Sequence, residues 1–277
     1  MLQRSVAGVG RIYVGAILFA FVGVLALQAC GDDDDDGDCE CPGAGGTATT
    51  TTGTGGSTNG ETVPLKEAKL NIEHNATDLD TGFQGFIDSE GWQRLDVTGP
   101  DGTVLTLEGK GELGALGLTE LFFESVEPEN AEVPIEEILA TLPEGNYTIK
   151  GPTPDGGVTE GTALLTHDIP AGPVLMSPAE GETVPREGLV MTWEPVTETI
   201  TGEPIDIIAY QLIVERDEEP HPHALSKHVM SVHVGPMTTS VSVPREFLEE
   251  QTNYAWEVLA IEESGNQTLS SGTFSTE

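Results

Sequence analysis

Residues 247–261 read FLEEQTNYAWEVLAI, and three large apolar side chains within them, Tyr254, Trp256 and Val258, occupy every second position. A β-strand points successive side chains to opposite faces, so this spacing predicts a strand that is buried on one side. The same period recurs in IAYQLIVER at 208–216. Proline, glycine and asparagine separate such runs, which is typical of an antiparallel β-sandwich.

The positions of one tryptophan, one leucine and two tyrosines add to this pattern. Trp193 ends the run LVMTW, and Leu248 precedes Tyr254 by six residues. Together with Tyr210 at the expected place in the next strand, these residues give region 173–277 a pattern that resembles a fibronectin type III domain. In that family strand B carries a core tryptophan, and a leucine lies six residues before the tyrosine of the tyrosine corner. The resemblance implies a core role for these side chains, and no Arg-Gly-Asp triplet is present to imply cell adhesion.

Region 63–172 carries a second set of β signals. Residues 94–109 read RLDVTGPDGTVLTLEG, two alternating runs joined through Pro100-Asp101-Gly102, and residues 146–167 repeat the design. Such turns between alternating runs predict β-hairpins. The stretch VPIEEILATL at 133–142 has apolar residues at helical spacing and predicts one short helix.

Three segments of this region look like an uncharacterised domain found before fibronectin-like modules in exported bacterial proteins: LTELFFESVEP at 118–128, LPEGNYTIKG at 142–151 and LLTHDIPAGPVLMSP at 164–178. That resemblance implies no activity. We therefore predict an all-β chain with two tandem β-sandwich domains, an N-terminal Ig-like or uncharacterised one at 63–172 and a fibronectin type III-like one at 173–277. The short connector DIPAGP favours end-to-end packing of the two.

The amino terminus predicts export and lipid attachment. Two arginines in the first eleven residues precede an uncharged apolar stretch at 12–27, as in a secretory signal. Residues 27–30, LQAC, resemble the bacterial lipobox, which implies a signal peptide at 1–29 and acylation of Cys30. Palmitate and related acyl chains on Cys30 would tether the mature protein to a lipid bilayer. The alternative is an uncleaved anchor with an incidental cysteine.

Residues 30–62 follow as an acidic and then Gly/Thr-rich segment, which cannot bury a core and is predicted to be a disordered tether. Its five consecutive aspartates are repelled by an anionic lipid surface; they are either a sorting signal or a solvated run. Gly31, rather than an aspartate, follows Cys30, which favours the outer membrane or cell surface. Cys39 and Cys41 are left for a local or an intermolecular disulfide.

The composition excludes several functions. The formal net charge is −36, and the few lysines and arginines are scattered, so nucleic acid is not expected as a partner. The sequence contains no GxSxG, HExxH, Walker or strand-linked GxGxxG motif, so we expect no enzyme activity. Three N-x-T triplets, at Asn75, Asn146 and Asn266, are interpreted as chance in a bacterial lipoprotein.

Closely spaced acids suggest one cation site. Asp78, Asp80, Asp88 and Glu90 could supply oxygen ligands to calcium, although Ser89 replaces the glutamate that an EF-hand needs at position twelve. Aspartates also favour turns, so a solvated loop is the alternative. No other cofactor is predicted.

Four histidines crowd the segment HPHALSKHVMSVH: His221, His223, His228 and His233. Their residue type suits zinc or copper. If the second part is a strand, however, His228 and His233 point to opposite faces. A solvated loop is therefore the favoured interpretation.

One aromatic residue lies outside the predicted fibronectin-like core in a position to bind a ligand. Trp92, in DSEGWQR, could offer a stacking platform for a sugar or could pack within a hairpin. The favoured function is a membrane-anchored envelope or surface lipoprotein that displays two sandwiches for binding an envelope protein or a polysaccharide. The alternative is a calcium-dependent sensor, or an accessory subunit of a larger envelope assembly.

Overall fold

The computed structural model describes residues 60–224 and 226–277, and nearly all of their regular structure is β-strand. The predicted all-β sandwich class is therefore confirmed. The predicted signal peptide at 1–29, the acylation site Cys30 and the predicted tether up to residue 59 lie outside the described residues. Within the described part, no helix is both long and apolar enough to cross a membrane.

The first half forms a sandwich of two sheets. Its elements are β1 (Thr62–Pro64), β2 (Glu67–Asn75), β3 (Asp80–Trp92), β4 (Arg94–Gly99), β5 (Gly102–Glu108), α1 (Gly111–Leu116), β6 (Leu118–Glu124), α2 (Ile135–Leu139), β7 (Gly145–Pro152) and β8 (Val158–Leu165). Strands β1, β8, β7, β4 and β5 lie side by side in that order, and β2, β3 and β6 form the opposing layer. Both hairpins expected from the turn residues, β4–β5 and β7–β8, are present and antiparallel.

Alternate side chains of these strands form the first core. Leu70 and Ile72 of β2 pack with Leu95 of β4 and with Tyr147 and Ile149 of β7. This is the burial that the period of two predicts.

The two short helices flank this core. Helix α2 lies inside the predicted stretch 133–142 and buries Ile138. Helix α1 was not predicted, because its six residues, GELGAL, are too few to show a helical period. It begins at Gly111 with φ +58°, a conformation that glycine adopts without a steric penalty.

The second half forms another sandwich. Its elements are β9 (Leu175–Ser177), β10 (Glu182–Val184), β11 (Val190–Trp193), β12 (Ile207–Arg216), β13 (Val229–Val234), β14 (Ser240–Ser242), a 3₁₀ turn (Arg245–Phe247), β15 (Asn253–Glu262) and β16 (Gln267–Thr276). A three-stranded sheet with the order β14, β11, β9 opposes the strands β13, β12, β15 and β16, and β10 pairs with the end of β16.

The aromatic core of this half is fibronectin type III-like. Trp193 and Tyr210 are buried with their ring centroids 5.6 Å apart. The hydroxyl of Tyr254 accepts the backbone N–H of Glu249 at 2.8 Å, and Leu248 is buried beside it, which is a tyrosine corner. The residues on which the sequence resemblance rests thus have the core positions that it implied.

The two sandwiches share one sheet. Residues 267–269 of β16 pair in parallel with residues 73–75 of β2. The layer of β2, β3 and β6 in the first sandwich therefore joins the layer of β13, β12, β15 and β16 in the second, and with β10 they form one eight-stranded sheet. The short connector predicts end-to-end packing of the two domains. At the joint the contact includes main-chain pairing, and we call the pairing of β16 with β2 the seam.

A buried asparagine fastens the seam. Asn266 is 0% exposed in the turn between β15 and β16. Its Oδ1 accepts the N–H of Ile72 at 2.8 Å, and its Nδ2 donates to the carbonyls of Thr166 and Asp168, each at 3.1 Å. Its own N–H donates to the Glu262 carboxylate at 2.9 Å. One side chain therefore connects the second sandwich to two separate segments of the first.

We predict that Asn266→Ala lowers the free energy of unfolding by about 3 kcal/mol, because the Ile72 amide and two carbonyls lose buried partners. Urea denaturation followed by tryptophan fluorescence measures the change. Asn146→Ala is the matched control, since Asn146 is exposed and the same substitution there should change stability by less than about 0.5 kcal/mol. Equal effects of the two substitutions would contradict the role given to Asn266.

Candidate functional site

The four carboxylates predicted to bind calcium do not meet. Asp80 begins β3 and Asp88 lies eight residues further along it, which separates them by roughly 26 Å at the usual rise of a strand. Asp78 precedes the strand, and Glu90 forms an ion pair with Lys66 at 3.0 Å. The prediction of a common site at Asp78, Asp80, Asp88 and Glu90 is therefore wrong, because a β-strand extends residues that a compact loop would have gathered.

Trp92 is not a surface platform. Its side chain is 1% exposed and belongs to the core of the first sandwich, where it packs with Ile87 and Leu95. A ring buried in this way has no face open to a sugar. The hairpin-packing alternative describes Trp92 better than the predicted ligand-binding role.

The four histidines also fail to converge on one site. The rings of His221 and His223 lie 5.6 Å apart in an exposed segment, and Nδ1 of His228 contacts the Glu218 carboxylate. His233 lies further along β13. In the described part of the chain, these histidines are not among the side chains close enough together to hold a metal ion.

Three other carboxylates do come together. Glu73 of β2, Glu124 of β6 and Glu127 just after β6 place carboxylate oxygens within 4.8 Å of one another. Two glutamines connect these carboxylates. The side-chain amide N–H of Gln267 donates to Glu73 and, at 3.0 Å, to the side-chain oxygen of Gln84. The amide nitrogen of Gln84 donates to Glu124 at 2.9 Å. We call these five residues the carboxylate cluster.

Strand pairing explains how the carboxylate cluster forms. Glu73 is opposite Gln267 across the seam, and Gln84 of β3 is opposite Glu124 of β6. Glu127 folds over Gly82, where a side chain would collide, because a Cβ atom there would lie 2.6 Å from Glu127 Cγ. The absence of a side chain at Gly82 thus lets a third carboxylate approach the other two.

Burial and mutual repulsion favour protonation of the carboxylate cluster. Burial raises the pKa of Glu73 to about 7, against the opposing effect of the hydrogen bond from Gln267, and the charge of Glu124 raises it further. The pKa of Glu127 rises to about 8, first through burial and then through the charges of Glu73 and Glu124. These two carboxyl groups therefore titrate near neutral pH instead of near pH 4.5.

Carboxyl groups around the carboxylate cluster are affected in the same way. Burial, with repulsion from Glu73, raises the pKa of Glu257 in β15 to about 7. The pKa of Asp80 rises to about 6 through burial and the charges of Asp78 and Glu129. Since Glu257 belongs to the second sandwich and Glu73 to the first, charge repulsion acts across the seam.

The chemistry open to this arrangement is the binding of protons or of a cation. Glu73, Glu124 and Glu127 are the residues of the described chain that are close enough to hold a metal ion. Calcium usually takes six to eight oxygens, so three glutamates would need further ligands. Sequence reasoning missed this group because its members come from separate strands, and 47 acidic residues conceal any local signal.

We predict that the protein loses stability as the pH rises from about 5 to 8. The folded-state pKa values of Glu73 and Glu127 exceed the unfolded value, so the native state binds more protons over this interval and loses that advantage on titration. Glu127→Gln should raise the melting temperature at pH 8 and flatten its pH dependence, as measured by calorimetry. Glu132→Gln, an exposed position of the same loop, is the control, and an unchanged pH profile in Glu127→Gln would contradict the prediction.

No protein-family model matches this chain, and no curated protein matches it. Among solved structures, the crystal structure of the FN1–FN3 domains of chicken CNTN1 is similar to it with a TM-score of 0.31 and 13% sequence identity. The similarity covers 79% of this chain and 69% of that one. The fibronectin type III-like description of the second half rests on its own strand order and tyrosine corner.

Proposed function

We propose that this protein is a lipid-anchored lipoprotein of the bacterial outer membrane or cell surface that presents a rigid double β-sandwich to a binding partner. The partner would be another envelope protein or a polysaccharide. The observation that supports this most is the seam, because a shared sheet fastened by Asn266 favours a fixed arrangement of the two sandwiches. A protein whose task is to present a surface benefits from such preorganisation.

Sequence features supply the rest of the proposal. The signal-like apolar stretch, the lipobox-like residues 27–30 and the acidic, Gly/Thr-rich segment up to residue 62 together fit a chain that is anchored at Cys30 and held away from the lipid. A role without catalysis fits the missing catalytic motifs.

The predicted calcium ligands do not support the alternative function of a calcium-dependent sensor. The loop at Asp78 and Asp80 does not gather Asp88 and Glu90, so the predicted ligand set does not exist as a unit. An accessory subunit of an envelope assembly is compatible with the proposed role, because presenting a rigid surface is also what a scaffold does.

Anchoring is tested by metabolic labelling. We expect a fatty-acid analogue to label the full-length protein, and Cys30→Ala to abolish the label and release the protein from the membrane fraction. Cys39→Ala and Cys41→Ala are matched controls in the same segment and should keep the label. An unlabelled wild-type protein, or an intact amino-terminal methionine found by mass spectrometry, would exclude the proposal.

Binding is tested by crosslinking in intact cells followed by purification of the tagged full-length protein. We expect one envelope protein or glycan at a constant ratio to the tagged chain. The Cys30→Ala variant is the control, because a protein released from the membrane should lose the partner. Recovery of no constant partner in repeated preparations would contradict the presenting role.

A further inference from the structure

Most sheet edges in the described residues are protected against pairing with another chain. Strands β1, β9 and β14 have only three residues each, and a proline ends or closely follows each of them. Strand β6 carries Glu120 and Glu124, and the β4–β5 pair is irregular at Val97. Short strands, prolines, charges and bulges are the usual ways in which proteins avoid edge-to-edge association.

Strand β13 is twice as long as β1, β9 and β14 and carries none of these protections within its length, although Gly235 and Pro236 follow its last residue. It spans six residues, VMSVHV, without proline, glycine, lysine or an acidic side chain, and its pairing with β12 has no irregularity. Within residues 60–224 and 226–277, β12 is its one neighbour, so it forms the edge of the eight-stranded sheet. A long, regular, uncharged edge is suited to accept another strand.

The hydrogen-bond register identifies the groups on this open edge. The N–H of Arg216 donates to the carbonyl of His228 at 3.0 Å, so these two residues form a hydrogen-bonded pair of the antiparallel ladder. Such pairs alternate with pairs whose main-chain groups point away from each other. Met230 and Val232 therefore bond towards β12, whereas the N–H and C=O of Val229 and Ser231 point towards the open edge.

Charge determines which strand fits there. Residues 215–228, which precede β13 in the sequence, contain four acidic side chains and two cationic ones. Lys227 forms an ion pair with Glu215 and Arg216 with Glu218, so Asp217 and Glu219 are in excess. Burial and the charge of Lys69 lower the pKa of His233, so the local acidic excess lies near the start of β13, in a chain whose net charge is −36. A second copy of the protein would bring the same negative charge to the edge, whereas a segment with lysine or arginine would be attracted.

We propose that the open edge of β13 is a docking site for an extended, basic segment of a partner protein, which adds to the sheet as a further strand. Main-chain hydrogen bonds to residues such as Val229 and Ser231 hold the segment, and its cationic side chains face the acidic surroundings. This inference rests on the proposed presenting function and specifies its partner as a polypeptide with a basic extended segment.

Synthetic peptides test the docking site on the full-length protein in mild detergent. The probe is fluorescein-labelled KVTVKVTVK, and its binding is measured by fluorescence anisotropy and by hydrogen exchange of the segment around β13. We expect saturable binding with slower exchange there. EVTVEVTVE should bind at least tenfold more weakly, and so should KVTVKVTVK with two consecutive central amides methylated, which blocks both edges of the peptide.

A matched pair of variants locates the binding. Ser231→Pro removes an outward N–H from β13. Thr106→Pro is the matched variant on the edge strand β5. The Gly109 N–H donates to the Gln93 carbonyl, and since hydrogen-bonded pairs alternate along the ladder, the main-chain N–H of Thr106 also points outward. Each wild-type hydroxyl bonds to a neighbouring strand, Ser231 with Gln211 and Thr106 with Asp96. Ser231→Pro should weaken peptide binding at least tenfold, and Thr106→Pro should leave it unchanged.

Three results would overturn the inference: equal binding by the methylated or acidic peptide, equal binding by Ser231→Pro, or dimerisation of the wild type through β13 in light scattering. Ser231→Lys is the second variant if Ser231→Pro does not fold, since it keeps the N–H but repels the basic probe. If Ser231→Pro still recovers the cellular partner, the docking site is wrong and the presenting function stands. If neither wild type nor variant recovers a partner, the presenting function itself is wrong.

Discussion

The buried amide of Asn266 is the interaction on which the arrangement of the two sandwiches depends. The seam itself contains only three residue pairs, which is little main-chain pairing for a joint between two sandwiches. Asn266 adds bonds to two segments of the first sandwich, and Thr268 donates to the Pro170 carbonyl at 2.6 Å beside it. Because both side chains are fully buried, water offers no replacement for these bonds, and separating the sandwiches would leave several polar groups unpaired.

The same pairing explains the electrostatics of the structure. By placing Gln267 opposite Glu73, the seam brings a buried carboxylate of the first sandwich near Glu257 of the second. Carboxylates in such surroundings repel one another when ionised and hydrogen-bond with neutral neighbours when protonated. The joint is therefore held by neutral amides and weakened by ionised acids, so that its stability and the protonation of the carboxylate cluster are physically coupled.

Local patterns allowed much of the fold to be predicted, whereas the site depended on contacts between distant strands. A period of two identifies which side chains of a strand are buried, and Trp193, Tyr210 and Tyr254 lie in the core as that period requires. A period of two does not show which strand of one sandwich pairs with which strand of the other. The pairing of Glu73 in β2 with Gln267 in β16 could therefore not be predicted from the sequence. The sequence leaves Trp92 open between a ligand platform and hairpin packing, and its place in the core of the first sandwich decides between the two.

The large negative charge and the open edge of β13 are compatible for a physical reason. An uncharged, regular sheet edge can pair with the same edge of a second copy, but each copy of this chain has a net charge of −36. Repulsion between copies slows their encounter and opposes the paired state. Charge thus protects the β13 edge against self-pairing, as proline or a bulge protects other edges. The same negative field attracts a cationic segment. An edge protected in this way stays available to a partner of opposite charge, whereas a proline would close it to every strand.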